Sequence, residues 1–264
     1  MGKLKYGIIL TLVFMMGWSC SSPKYHVNTV EKSRILIDSR YDASPNAEAA
    51  AFLAPYKHTV DSMMSPIVGK TARYMAAARP EGELSNLLAD ILIWGAKNFN
   101  ETPDFAVYNM GGIRAAFAQG DVTIGDVIDV APFENKISFV TMKGEDAIEL
   151  FGQIAKSFGQ ALSHGVELVI TADGKMASVK INGKEIDPQG SYRVATLDYL
   201  AQGNDGLTAF KKGTDRVMPS ANENNVRYII MDYFREQTAQ GKVVDSEKEG
   251  RVIVQGNPNF RVSH

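Results

Sequence analysis

Three short stretches of this sequence combine glycines, amides, single aromatics and isolated charges in the manner of ligand-binding loops. The first, Asn109-Met110-Gly111-Gly112-Ile113-Arg114, follows an apolar run at 105–108. Paired glycines let a backbone turn sharply and come close to a ligand. Arg114 offers a fork of donors matched to phosphate or carboxylate oxygens. The second, Pro132-Phe133-Glu134-Asn135, sets an aromatic outside any core-type run. Such a ring can stack on a base while the Asn135 amide reads a base edge. The third, Tyr199-Leu200-Ala201-Gln202-Gly203-Asn204-Asp205-Gly206, brings an aromatic and one carboxylate into a glycine-rich loop. A carboxylate that accepts from vicinal hydroxyls holds a ribose. Taken singly, each also has a plainer reading: a glycine turn with a solvated arginine, a turn aromatic capping the core, and an Asn-Asp-Gly turn. Taken together, they form a pocket for a planar, anionic small molecule, most simply a nucleotide.

Chemistry on that ligand finds less support. The sequence has no G-x-S-x-G elbow, no phosphate-binding P-loop, no G-x-G-x-x-G and one cysteine. The carboxylate pairs Glu145/Asp146 and Glu185/Asp187 fall at a helix start and beside a turn, where capping and solvation account for them. Of the four histidines, His26 and His264 lie near the ends, and His58 and His164 stand alone without D-x-H or N-H-E neighbours. A paired-metal hydrolytic centre needs several Asp, His and Asn ligands at close range. No metal site is therefore expected in this chain.

The 264 residues carry a net charge of −2, with 45% hydrophobic and 22% charged residues, an ordinary globular composition. Near-neutral charge and the lack of any Lys/Arg run of five exclude partners bound by neutralising many phosphates, nucleic acids above all. Residues 1–20 read as a processing signal: Lys3 and Lys5, an apolar run at 7–18 too short to span a bilayer comfortably, then Ser19-Cys20. The segment resembles a bacterial lipoprotein signal with a loose lipobox and Cys20 as the lipidation site. Several acyl chains on one residue anchor stably where a single chain is marginal. An exported, membrane-anchored lipoprotein of the cell envelope is expected, with no thiol left for a disulfide.

The elements that must position the three loops follow from periodicity. Residues 21–44 read as a tether with one short strand at 35–37, residues 45–256 as a single domain, and 257–264 as a tail. Helical spacing marks 46–64, 83–99, 147–158 and 224–240. Strand patterns mark 67–75, 105–108, 137–142, 166–171, 176–181, 192–197 and 251–254, while 122–130 suits a short helix or an extended turn. Helices and strands mix without βαβ regularity. The expected fold is α/β of the α+β type, one layered domain of mixed sheets covered by helices.

Read in order, N-x-G-G-I-R, G-x-x-T, P-F-x-N and D-Y-L-A-x-G-x-D-G, with the helix opening at Glu83 and the closing E-G-R-V at 249–252, resemble the C-terminal domain of the 5′-nucleotidase / UDP-sugar hydrolase family. The resemblance covers about residues 46–254. It implies that Phe133 and Tyr199 sandwich a base, Tyr199 keeping the ring where phenylalanine is often found. It implies further that Asp205 binds ribose hydroxyls, that Asn109 and Asn135 contact the nucleoside, and that Arg114 serves the phosphate and ribose side. Gly111, Gly112 and Gly203 are the positions of close backbone approach. A second arginine expected before the Glu83 helix has no clear counterpart: Arg79 lies nearby, but Pro80 takes the aligned place. In this family the chemistry belongs to an N-terminal metallophosphatase domain. The resemblance therefore implies a substrate-recognition subunit of a nucleotide-hydrolysing system, with divalent metals only in a separate metallophosphatase partner. The alternatives are a non-catalytic nucleotide- or nucleoside-binding lipoprotein and a degenerate interaction module. Replacing Cys20 tests the anchor: Cys20→Ala is expected to move the exported protein from the detergent to the aqueous phase in a detergent-partition assay.

Overall fold

The computed structural model describes residues 25–36 and 38–256. The leader with Cys20 and the tail at 257–264 lie outside them. The chain divides into two units, to Phe52 and from Leu53. Among its described residues the first holds a 3-10 turn, Ser39–Tyr41, and the opening residues of α1 (Ala47–Met64). Ile35 and Leu36, expected in a strand, have no regular structure, and Ile37 lies outside the described residues. α1 forms despite Pro55 and buries none of its residues.

The second unit continues with β1 (Ile67–Thr71), α2 (Glu83–Gly95), β2 (Phe105–Tyr108), β3 (Gly120–Thr123), α3 (Ile124–Val130), β4 (Ile137–Lys143) and α4 (Gly144–Lys156). There follow β5 (Ala161–Leu162), β6 (Val166–Thr171), β7 (Met176–Ile181), β8 (Lys184–Glu185), β9 (Ser191–Leu197), α5 (Asp198–Ala201), β10 (Thr214–Val217), α6 (Val226–Ala239) and β11 (Val252–Gln255). The central sheet has the order β10-β4-β9-β2-β5. A second sheet has the order β11-β6-β7-β8, and β1 pairs with β3 alone. Both larger sheets are mixed, since β2 runs parallel to β9 and β11 parallel to β6 while their other pairings are antiparallel. This is the α+β architecture that the periodicity predicts.

Every residue of β2 is buried, which suits a central strand covered on both faces. Alternation along the central strands divides their side chains between two cores. Ala106, Tyr108, Ile137, Phe139, Ala195 and Leu197 join the core under α2 and α6. Phe105, Val107, Val140, Met142 and Val194 join the core under α4 and the second sheet. The stripe Leu84, Leu87, Leu88, Ile91 and Leu92 drives α2 onto the first of these, as the 3.6-residue spacing requires. α4 begins three residues before the predicted stripe and ends at Lys156; Phe158 has a positive φ of 56° and cannot continue it.

The last strand is tied down by charge. Arg251 is buried and donates to both Asp90 oxygens at 2.7–2.8 Å, to Leu162 O at 2.8 Å and to Glu249 Oε2 at 2.9 Å. Burial alone would depress the guanidinium, but its carboxylate partners outweigh that and raise it. Glu249 Oε2 also meets His164 Nδ1 at 2.8 Å. Burial pushes the Glu249 carboxyl up, yet the hydrogen bonds from His164 and Arg251 hold it below its ordinary value of 4.5. A carboxyl with a folded pKa below its unfolded one adds stability above the unfolded value and loses it as pH falls through the folded one. Thermal stability is therefore expected to fall on the acid side of 4.5, and Glu249→Gln to flatten that limb in a melting series.

Candidate functional site

The pairing register decides which loops meet. β2 lies parallel to β9, with Phe105 opposite Val194, so the chain leaves both strands at the same end of the sheet. Asn109 follows one strand and Asp198-Tyr199 the other. β4 runs antiparallel to β9, with Ile137 opposite Leu197, and so the residues entering β4, Pro132 to Lys136, lie at that end too. Asn109, Gly111, Phe133, Asn135, Tyr199 and Asp205 line one cleft of about 230 Å³ there. Clefts beyond the C-terminal ends of parallel strands are where such sheets commonly take ligands.

Each loop is held from within. Asn109 is buried and caps the 3-10 turn Met110–Gly112: its Oδ1 accepts from Gly111 N at 2.8 Å. Gln160 Oε1, also buried, accepts from Met110 N at 2.9 Å and supports the turn from behind. Neither Gly111 nor Gly112 has a positive φ. A methyl on Gly111 would meet Asn109 Oδ1 at 3.3 Å and stand 3.9 Å from Asp205 Oδ2, so this glycine supplies room between facing loops. Gly112 is buried beside the Asn109 side chain and does not line the cleft.

Phe133 is 48% exposed, at the rim where its neighbours Pro132 and Glu134 also face solvent. Its corner is pinned from two sides. Arg227 Nη2 donates to Pro132 O at 2.8 Å, and Asn135 O accepts from Val226 N at 2.9 Å. Asp198 links this corner to the opposite wall, since its Oδ1 accepts from Lys136 N at 3.1 Å and from Tyr199 N at 2.8 Å. Its own backbone N–H donates to Lys136 O at 2.8 Å. One carboxylate thus clasps the two segments that carry the aromatic rings.

The third loop folds back on its own aromatic. Asn204 Nδ2 donates to Tyr199 O at 2.8 Å, and Asp205 sits in the left-handed region at φ 54°. Asp tolerates that region better than most residues do, and backbone strain of this kind gathers at binding sites. Tyr199 Oη donates to Asp205 Oδ1 at 2.8 Å. That bond, with smaller help from desolvation and charge, raises the phenol's pKa. Gly203, at φ 82°, closes the turn after α5 below the cleft and does not line it.

The two arginines lie in different surroundings. Arg114 is exposed outside the cleft lining, its Nη1 3.5 Å from Gly111 O. Arg79, which the motif spacing could not place, is half-buried, donates to Gly159 O at 3.0 Å and stands within electrostatic reach of Asp205. Burial lowers its pKa and the Asp205 charge partly restores it. Gln160 and the clasping role of Asp198 also escape a motif reading. The only trace of the latter is an acidic residue at the first turn of a helix that directly follows a strand. Among the described residues no three His, Cys, Asp or Glu side chains are placed to hold a metal ion. His164 is engaged with Glu249, far along the chain from the cleft loops.

The fold is that of the C-terminal domain of 5′-nucleotidases. The profile of the family described as "5′-nucleotidase, C-terminal domain" matches residues 67–212, and the chain belongs to that family. Protein UshA of Escherichia coli (strain K12) is 27% identical over 168 residues, which is 62% of this chain and 30% of that protein. The cell wall protein Lmo0130 of Listeria monocytogenes is 28% identical over 252 residues, 84% of this chain and 31% of that one. The chain thus corresponds to about a third of these relatives. The crystal structure of a 5′-nucleotidase precursor from Thermus thermophilus superposes with a TM-score of 0.70 at 25% identity, over 83% of this chain and 45% of its own.

If Asp198 is the clasp, its loss should be felt in both walls at once. Asp198→Ala is expected to cost roughly 1–3 kcal/mol of stability, the range for one buried donor left without its acceptor, since both amides here are only partly buried. Asp198→Asn, which retains an acceptor oxygen, should recover most of it. Denaturant unfolding of the two variants reads the difference.

Proposed function

We propose that this protein is the substrate-recognition subunit of a nucleotide-hydrolysing system. It grips the nucleoside part of a nucleotide for a metallophosphatase on a separate chain. One observation carries the reading. Two aromatics, two asparagines and a carboxylate from three distant loops face a single cleft, and the described residues offer no metal-ligand cluster. A cleft of about 230 Å³ is below the roughly 300–1,000 Å³ of drug-sized pockets. It suits a base with its sugar and leaves phosphates outside, where another chain's metals can reach them. Phe133 and Tyr199 hold the base, Asp205 the ribose hydroxyls, and Asn109 and Asn135 the polar edges. Arg79, half-buried near Asp205, and the exposed Arg114 supply positive charge.

Membership of the nucleotidase family supports the ligand class. The cell-wall designation of Lmo0130 supports export, which the N-terminal lipoprotein pattern extends to anchoring through Cys20. Paired divalent metals belong to the partner in this reading, and none of this chain's residues is asked to hold them.

Two measurements test it. Calorimetry with adenosine, AMP and UDP-glucose should show binding that Phe133→Ala and Tyr199→Ala each weaken by roughly 1–3 kcal/mol, the value of one stacked base. Adding a metallophosphatase chain that lacks this domain should form a complex and raise nucleotide hydrolysis. Binding without complex or gain would instead favour a non-catalytic nucleotide-capturing lipoprotein.

A further inference from the structure

Among the described residues, two buried side-chain polar atoms find no hydrogen-bond partner: Ser138 Oγ and Arg227 Nε. Native folds rarely leave a buried donor unmet, least of all on a cation, so the placement of this guanidinium asks for a reason. Arg227 stands on the first turn of α6, half-buried, and its Nη2 donates to Pro132 O at 2.8 Å, 95 residues away in sequence. Its charge also reaches the buried phenol of Tyr108, the last residue of β2 before Asn109. The helix has other grounds to begin here. Asn225 caps it by accepting from Arg227 N at 3.1 Å, and Val226, Ile229 and Ile230 bury its inner face. The Arg227 guanidinium takes part in neither.

What its bond to Pro132 fixes is the segment that carries Phe133. The pyrrolidine ring locks φ of Pro132, so ψ of Pro132 is the rotation left before the next peptide. Holding Pro132 O sets that rotation. Because the peptide is planar, N and Cα of Phe133 are set with it. Donation from a charged guanidinium makes the bond stronger than one from a neutral amide. On the far side of the ring, Asn135 O is held by Val226 N of the same helical turn. We propose that Arg227 is a positioning residue for the cleft: it aims the Phe133 ring and so sets the gap between that ring and Tyr199. Arg227 itself is outside the cleft lining and acts only through Phe133. The proposal rests on the nucleoside-binding reading above and adds to it a residue that touches no ligand.

The test is a double-mutant cycle on the full chain with adenosine as the ligand. Calorimetry serves the tighter variants and ligand-observed NMR the weaker ones. Arg227→Met removes the donor and keeps the apolar stem. It should weaken adenosine about five- to tenfold, the low end of what losing a stacked base costs. Arg227→Lys still donates to a single carbonyl and should stay within about twofold of the native chain. In the Phe133→Ala background, Arg227→Met should change nothing further, because the ring it aims is gone. A role confined to stability would weaken adenosine alike in both backgrounds, through the rest of the cleft, and that result overturns the positioning role. So does an Arg227→Met chain that binds adenosine as the native one does. If Arg227→Met does not fold, Arg227→Gln, too short to reach the Pro132 carbonyl, takes its place in the cycle with the same expectations. No binding by the native chain, or none lost in Phe133→Ala, overturns the nucleoside clamp itself, and the positioning role with it.

Discussion

Everything at the site depends on how β9 is paired. Its antiparallel partner β4 is fixed by a ladder that starts with Ile137 opposite Leu197 and ends with Lys143 opposite Ser191. Its parallel partner β2 is fixed by Phe105 opposite Val194 and Ala106 opposite Ala195. A slip of one residue would turn Val194 and Ala195 to the wrong cores and exchange the buried sets of both faces. The register is therefore held by hydrophobic burial on two sides. The position of Asn109 relative to Asn135 and Tyr199 follows from it. The binding loops do not have to find one another; the sheet delivers them.

The electrostatics of the cleft are arranged around few charges. Asp198 is spent internally, on two backbone amides of different segments. Asp205 is left facing solvent, with a phenol on one oxygen and the Arg79 guanidinium within range. Arg114 sits outside, where its charge is screened by water and reaches only a ligand that projects from the cleft. The cleft itself is thus lined by two rings, two amides, a glycine and one carboxylate.

Much of this was legible in the residues. The leucine stripe of α2, the all-apolar β2 and the alternation in β6 state their own period. The short strands β5, β8 and β10 do not, because two to four residues carry no period, and all of β10 is exposed. The ambiguity at 122–130 is resolved by a local device. The Thr123 hydroxyl and the Asp126 carboxylate cap each other's backbone and stop β3 just as α3 begins. Within the site, glycines beside lone aromatics marked the loops well. What spacing could not report was which side chains turn inward. Arg79 and Arg114 are chemically the same residue, yet the former is half-buried with its guanidinium on Gly159 O and the latter is exposed. The Asp198 clasp was equally hidden, since its two bonds join residues whose separation in sequence is 62 and 1.

The clasp has a consequence for the thermodynamics of capture. Two aromatic arms on independent loops would each have to be immobilised when a ligand arrives, and the lost rotational freedom would subtract from affinity. Because one half-buried carboxylate ties the strand-entry corner to the first turn of α5, that ordering is completed during folding. The cleft is preorganised, and a ligand entering it meets walls whose separation has already been chosen.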